Sequence, residues 1–255
     1  MTAVAYHPFD IDMFVTGSFD SKLRMWSISK QKIVMFKQTL GPISAVSFSP
    51  SGKMIAVGLL DGICLFYHHT KSHKTSILQY HTQIECRNRR GKFRTGRKVC
   101  GFVWRKNGEE LMISTNDSRI RLIRMRDYNP FMKFKGAAVT EAPITAAFNE
   151  SGTYVISGSE DGRIVVWTTE IEQSQVTISL KAYKNKNYSY ESFQGSHTVS
   201  TCAVFGPSRM AREIGCVGWE RNASTKDVRD IEDDCRFIIA GDLEGHLRVF
   251  EQRGV

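Results

Sequence analysis

The chain has 255 residues, 41% of them hydrophobic, with 15 Phe and 4 Trp; that much apolar side chain supports a packed core and argues against a disordered chain. No run of about 18 apolar residues occurs, and the start Met1–Pro8 has no basic segment followed by an apolar stretch, which speaks against a membrane span and a secretory signal. The formal net charge is +9, but seven basic residues and no acid fall between Arg87 and Lys98, so the rest of the surface is close to balanced.

Taken in chain order, the predicted elements repeat. A strand at Thr2–Tyr6 opens a unit over about 1–38, which closes through a turn holding Asp20 and a strand Lys22–Trp26. The second unit, about 42–87, has a strand Ile43–Phe48, a Ser-Pro-Ser-Gly turn at 49–52, a strand Met54–Val57 and a turn with Asp61. The third, about 98–136, keeps Trp104, Gly108, Ser114 and Asp117 at matching offsets. In the fourth, about 143–196, Ile144–Phe148 leads to an Asn-Glu-Ser-Gly turn, then Tyr154–Ile156, the turn Glu160-Asp161-Gly162 and Arg163–Trp167. The fifth, about 198–251, ends on Leu247–Phe250. Glycine supplies the positive φ that tight turns of this kind require.

The spacing is kept in three nested intervals. An acid follows a small residue by three positions at Gly17–Asp20, Gly58–Asp61, Ser114–Asp117, Gly158–Asp161 and Gly241–Glu244. Six positions after each acid stands a large apolar side chain: Trp26, Tyr67, Ile123, Trp167 or Phe250. Upstream, Phe48 to Gly52, Trp104 to Gly108 and Phe148 to Gly152 are each four apart, and six more residues reach Gly58, Ser114 and Gly158. A fixed period of this kind marks a repeat architecture. Second strands that are apolar on both faces suit small sheets sandwiched between neighbours, as in a β-propeller; a sandwich would alternate on at least one face. Helical periodicity is absent over any useful length. The expectation is therefore an all-β chain forming one partial propeller domain over 1–255.

Two segments, Gly17-Ser18-Phe19-Asp20 with Trp26 and Gly158-Ser159-Glu160-Asp161 with Trp167, resemble WD repeats. In that family Ser, Asp, Trp and a His from the preceding loop form a hydrogen-bonded brace. The resemblance assigns brace roles to Ser18, Asp20, Trp26, Asp61, Asp117, Ser159, Asp161 and Trp167, with His197 as the match to the histidine position. The turn acids read as structural acceptors and not as catalysts. A second resemblance is narrower. Tyr80-His81-Thr82-Gln83-Ile84, Arg90-Gly91-Lys92, Gly96-Arg97-Lys98 and Thr115–Leu122 are similar to the rabphilin-like WD-repeat proteins, effectors of a Rab GTPase of recycling endosomes. That likeness runs over about residues 1–250. It implies a seven-bladed propeller of which about five blades are present, with two blades and a regulatory region upstream.

On that reading the ring is not closed by this chain alone, and missing blades or a partner chain would cover its open ends. Three insertions break the repeat, at about 87–98, 169–196 and 208–234. The first carries Arg87, Arg89, Arg90, Lys92, Arg94, Arg97 and Lys98. Arginine forks suit phosphate and carboxylate, so the run is a candidate contact for an acidic protein face, anionic phospholipid or RNA, and it also resembles a nuclear import signal. Only Phe93 is interleaved, a weak stacking platform that disfavours nucleic acid. The second insertion alternates Lys and Tyr and reads as an extended connection; the third, of mixed charge, is expected to be mobile.

Six cysteines are scattered without a Cys-x-x-Cys pair, and Cys64 and Cys100 sit among apolar strand residues as small core side chains do. His68, His69, His73 and His81 with Cys64 and Cys86 match no defensible zinc spacing, so neither metal nor cofactor is expected. No nucleophile elbow, phosphate loop or His-Glu-x-x-His occurs, and no catalytic residue is assigned. The sequence thus predicts a non-enzymatic scaffold in the cytoplasm that engages a Rab-class GTPase, attached peripherally to endosomal or Golgi membranes. The alternative is a nuclear or RNA-associated scaffold using the same 87–98 run.

Overall fold

A computed structural model describes residues 1–71, 76–86, 97–169, 190–207 and 237–251. Among the described residues every regular element is a strand, and the strands form five antiparallel sheets. In each sheet the strands lie side by side in chain order, so every connection is a hairpin. The chain divides into two compact units, Met1–Lys133 with Val139–Pro143, and Phe134–Ala138 with Ile144–Val255.

The first unit holds three four-stranded blades. They are β1 (Ala3–Tyr6), β2 (Met13–Gly17), β3 (Lys22–Ser27) and β4 (Lys32–Gln38); β5 (Ile43–Phe48), β6 (Met54–Leu59), β7 (Ile63–Lys71) and β8 (Ser76–Glu85); and β9 (Val99–Trp104), β10 (Glu110–Thr115), β11 (Arg119–Arg124) and β12 (Asn129–Phe134). The second unit has β13 (Ala147–Phe148), β14 (Tyr154–Gly158), β15 (Arg163–Thr168) and β16 (Glu191–Gln194), then a three-stranded sheet of β17 (Ser200–Phe205), β18 (Phe237–Asp242) and β19 (Leu247–Glu251). This is the all-β propeller-blade architecture expected from the repeat. One strand is shorter than the apolar pattern suggests: the ladder pairs only Ala147 and Phe148 of the stretch 144–148.

Burial explains why both faces of the second strands are apolar. From the second residue onward, β6, β10 and β14 are buried at every position, whereas the outer strands β4 and β8 are largely exposed. The core lies between neighbouring blades. Met13, Val15, Leu23 and Met25 pack with Ile43, Ile55, Val57 and Leu65, and Ala56, Cys64 and Phe66 pack with Val99, Leu111 and Ile113. In the second unit Ile156 and Ile164 meet Ala203, Ile238 and Ala240. Each fully buried Leu or Ile contributes about 1.5–3 kcal/mol, so blade-to-blade contact is the main source of stability.

The small residue of the repeat has a steric cause. A Cβ at Gly17 would lie 3.1 Å from Ile43 Cβ, one at Gly58 2.6 Å from Val99 Cβ, and one at Gly158 2.9 Å from the Ser200 carbonyl carbon. Each glycine is the point where a second strand touches the first strand of the next blade. The acid-bearing turn has a backbone cause. The residue after the acid adopts positive φ in all five repeats: Ser21, Gly62, Ser118, Gly162 and Gly245.

Candidate functional site

The turns between second and third strands, together with the links between blades, form the chemically richest surface of each unit. In the first blade the Asp20 carboxylate accepts from the Lys22 N–H and is paired with the Arg24 guanidinium. That pairing, helped by the Ser18 hydroxyl and opposed by desolvation, holds Asp20 down to about 2. Asp61 and Asp161 cap their turns in the same way, accepting at 3.2 Å from the N–H groups of Ile63 and Arg163. Asp117 is held more tightly. It takes both Arg121 nitrogens, at 3.2 and 2.6 Å, and the Thr115 hydroxyl at 2.6 Å, with the guanidinium almost fully buried. The arginine four residues beyond the acid in the first and third blades was not singled out by the spacing.

The two brace tryptophans reach other acceptors than the turn serines. Trp26 Nε1–H donates to Thr16 Oγ1 at 2.9 Å, and Trp167 Nε1–H donates to the Lys135 carbonyl at 2.7 Å. The Ser159 hydroxyl instead accepts from the Ala138 N–H at 2.8 Å and so ties the link before the blade to its turn. In the last blade the acid that does the bracing is Asp242, not the Glu244 chosen by spacing. Its buried carboxylate accepts from Ser196 Oγ at 2.9 Å and from the N–H groups of Glu244 and His246, and it pairs with Arg248. These contacts outweigh desolvation and hold Asp242 well below the carboxylate range. His197 lies exposed beside Ser196, which occupies the place assigned to the histidine.

The basic run enters and leaves on this turn surface. Arg87, Arg89, Arg90, Lys92 and Arg94 lie outside the described residues; Arg97 is exposed and Lys98 half-buried. Both stems are pinned. The Cys86 N–H donates to Gly62 O at 2.8 Å in the turn of the second blade, and the Lys98 carbonyl accepts from Asn116 N–H at 3.1 Å in the turn of the third. Among the turns and links of the same unit, Phe19 between β2 and β3 and Leu40 between β4 and β5 are 62% and 82% exposed. Leu40 also lines a groove of about 420 Å³ with Lys37, Thr39, Leu65, Tyr67 and Tyr80. The other two insertions fall mainly at 170–189 and 208–236, outside the described residues, although β16 lies in the C-terminal part of the first of them.

Among the described residues weighed as metal ligands, no three bring their ligand atoms together. Cys64 and Cys86 are in the inter-blade core, and His69 directs Nδ1 to Gly52 O at 3.1 Å. His68 stacks edge-on with His81, centroids 4.4 Å apart, and His73 lies outside the described residues. A different triad, Asp242, Glu244 and His246, has ligand atoms within 4.8 Å of one another. There Arg248 already neutralises the central carboxylate, which makes it an ion-paired turn.

Comparison with known proteins places this geometry. A profile described as the anaphase-promoting complex subunit 4 WD40 domain matches residues 5–88, and one described as WD domain, G-beta repeat matches residues 129–168. The chain is built of WD repeats. Among curated relatives, WD repeat-containing protein 44 of Xenopus laevis is 36% identical over 98% of this chain and 28% of its own length. An uncharacterized WD repeat-containing protein of Schizosaccharomyces pombe is 29% identical over 84% of the chain and 36% of its own length. Jouberin of Rattus norvegicus is 28% identical over 80% of the chain and 20% of its own length. This WD-repeat chain therefore spans between about a fifth and a third of these relatives. Within its WD repeats, arginine replaces histidine as partner of the turn acid in the first and third blades. No helix among the described residues is long and apolar enough to cross a membrane.

Proposed function

We propose that this chain is a non-enzymatic interaction scaffold whose turn surface engages a Rab-class small GTPase through the basic run 87–98. Anionic phospholipid is a second contact of the same run. On this reading the protein works in the cytoplasm, at the surface of endosomal or Golgi membranes. The observation that carries the reading is the pairing of charge with apolar surface. The run's two stems are fixed to neighbouring turns, in a unit that also exposes Phe19 and Leu40. Clustered cations steer an acidic partner, while exposed aromatic and aliphatic side chains supply the buried centre of a protein contact. Nucleic acid is disfavoured because aromatic stacking partners are sparse in the run. The Rab assignment rests on the resemblance of residues 80–122 to the rabphilin-like proteins.

The test sets three probes against one variant. Wild-type chain and R89A/R90A/K92A/R94A are compared for capture by GTP-analogue-loaded Rab proteins, for sedimentation with phosphoinositide-containing vesicles, and for an RNA mobility shift. The reading expects GTPase capture that the variant loses. Retention of capture by the variant, or an RNA shift as the only activity lost, would overturn it.

A further inference from the structure

The two cysteines of the second blade lie side by side. Cys64 stands on β7 opposite Ile84 of β8, and Cys86 follows two positions later. Alternate residues of a strand share a face, so the two thiols are diagonal neighbours on one side of the sheet. Their sulfurs are 3.7 Å apart, within hydrogen-bonding distance, and the residues are 0% and 2% exposed. Around them pack Ala45, Phe66, Val99 and Ile113. The buried Arg121 guanidinium acts on both sulfurs electrostatically.

The contact couples the two sulfurs. At Cys86 the S–H of Cys64, aided by Arg121, favours the thiolate against desolvation and lowers the group; at Cys64 burial and the neighbouring sulfur raise it. Closing the bond requires the sulfurs to approach from 3.7 Å to about 2.05 Å. Rotation of the two side chains about their Cα–Cβ bonds supplies that movement.

We propose that Cys64 and Cys86 are a redox-active dithiol that hydrogen peroxide converts to an intramolecular disulfide, tying β7 to the stem of the basic run. In the first step one of the two thiolates attacks a peroxide oxygen, the O–O bond breaks, and the departing hydroxide takes up a proton as water. In the second, the other thiol attacks the sulfenic sulfur, the S–O bond breaks, and a second water leaves with the thiol proton. Two thiols are oxidised by two electrons and one peroxide is reduced to two waters. Cys86 is the last residue before Arg87 and its N–H is bonded to Gly62, so the tie acts where the run departs. The inference stands on thiol geometry and is independent of the partner reading.

The experiment treats the folded full chain with hydrogen peroxide until thiol loss stops, then alkylates and maps the peptides by mass spectrometry. The expected product is a Cys64–Cys86 linked peptide, 2 Da lighter than the two reduced peptides, while Cys100 and Cys202 join no such link. In Cys64→Ser and in Cys86→Ser no Cys64–Cys86 link can form, and the reaction should stop at a sulfenic acid on the remaining cysteine that dimedone captures. Unfolding the chain first should scramble the pairing. At completion, free alkylated Cys64 and Cys86, links to other cysteines, or separate over-oxidation of the two would each overturn the proposal. The wild-type readout does not depend on either variant folding.

Discussion

Replacing Gly158 by alanine tests the claim that the repeat's small residue is a contact point between blades. Gly158 has no positive φ to strain, so an alanine there meets only a packing problem. Its methyl would sit 2.9 Å from the Ser200 carbonyl carbon and closer still to the oxygen, where ordinary contact is 3.4–4 Å. Those atoms are backbone, and Ser200 N–H is itself bonded to Ser159 O at 3.0 Å, so β17 must shift as a whole. Overpacking of this kind costs about 1–3 kcal/mol, offset in part by the roughly 0.5–1 kcal/mol that alanine gains over glycine in the unfolded chain. The expected net loss is about 1 kcal/mol, or a Tm about 2–4 °C lower for a chain of this size. Urea unfolding followed by tryptophan fluorescence reads it directly, with Gly41→Ala as control because its new methyl would meet only Leu59 Cδ1 at 3.9 Å. A Gly158→Ala chain as stable as Gly41→Ala would refute the steric account of the repeat.

Asp117→Ala removes the partner of a guanidinium that is almost wholly buried and should cost about 3 kcal/mol. Adding Arg121→Met should restore much of that loss, which a double-mutant cycle by chemical denaturation will measure. Ser21 holds φ 61° without a glycine, so Ser21→Gly should stabilise the first blade by about 0.5–1 kcal/mol, visible as a higher urea midpoint. His7 is lowered from 6.5, first by burial and then by the charge of nearby His69, with Asp10 opposing and Lys71 reinforcing the shift. The folded state thus binds a proton at His7 less readily than the unfolded one, and the associated stability is present above pH 6.5 and falls as pH drops below it. His7→Asn keeps an acceptor for the Phe9 and Asp10 N–H groups and should flatten that part of the stability profile between pH 7.5 and 5.5.

Much of the fold was legible because its constraints are local. Gly52, Gly108 and Gly152 turn with positive φ, and the residue after each spaced acid does the same, so the period visible in the sequence is a period of backbone conformation. Side-chain partnership was less legible. Arg24 and Arg121 look like ordinary strand cations until the turn brings them back onto Asp20 and Asp117. In the last blade the spacing pointed to Glu244, yet Asp242 lies where Ser196 from the preceding link can reach it. The only local signal was an Asp two residues before that acid. Cys64 and Cys86 are 22 residues apart, and their meeting depends on the β7–β8 register, which shifts at a bulge between Phe66 and Tyr67. One residue of slip would send Cys86 to the opposite face. The basic run was plain as composition, whereas the anchoring of its stems to Gly62 and Asn116 is a tertiary fact.

Calorimetric titration of the chain with Rab-class GTPases reads out the proposed nucleotide-dependent contact through the basic run. Saturable binding is predicted for the GTP-analogue form and not the GDP form, weakening at higher salt. R89A/R90A/K92A/R94A should lose at least about tenfold in affinity, equivalent to roughly 1.4 kcal/mol. Equal binding of both nucleotide states, or wild-type affinity in the quadruple variant, would contradict the account.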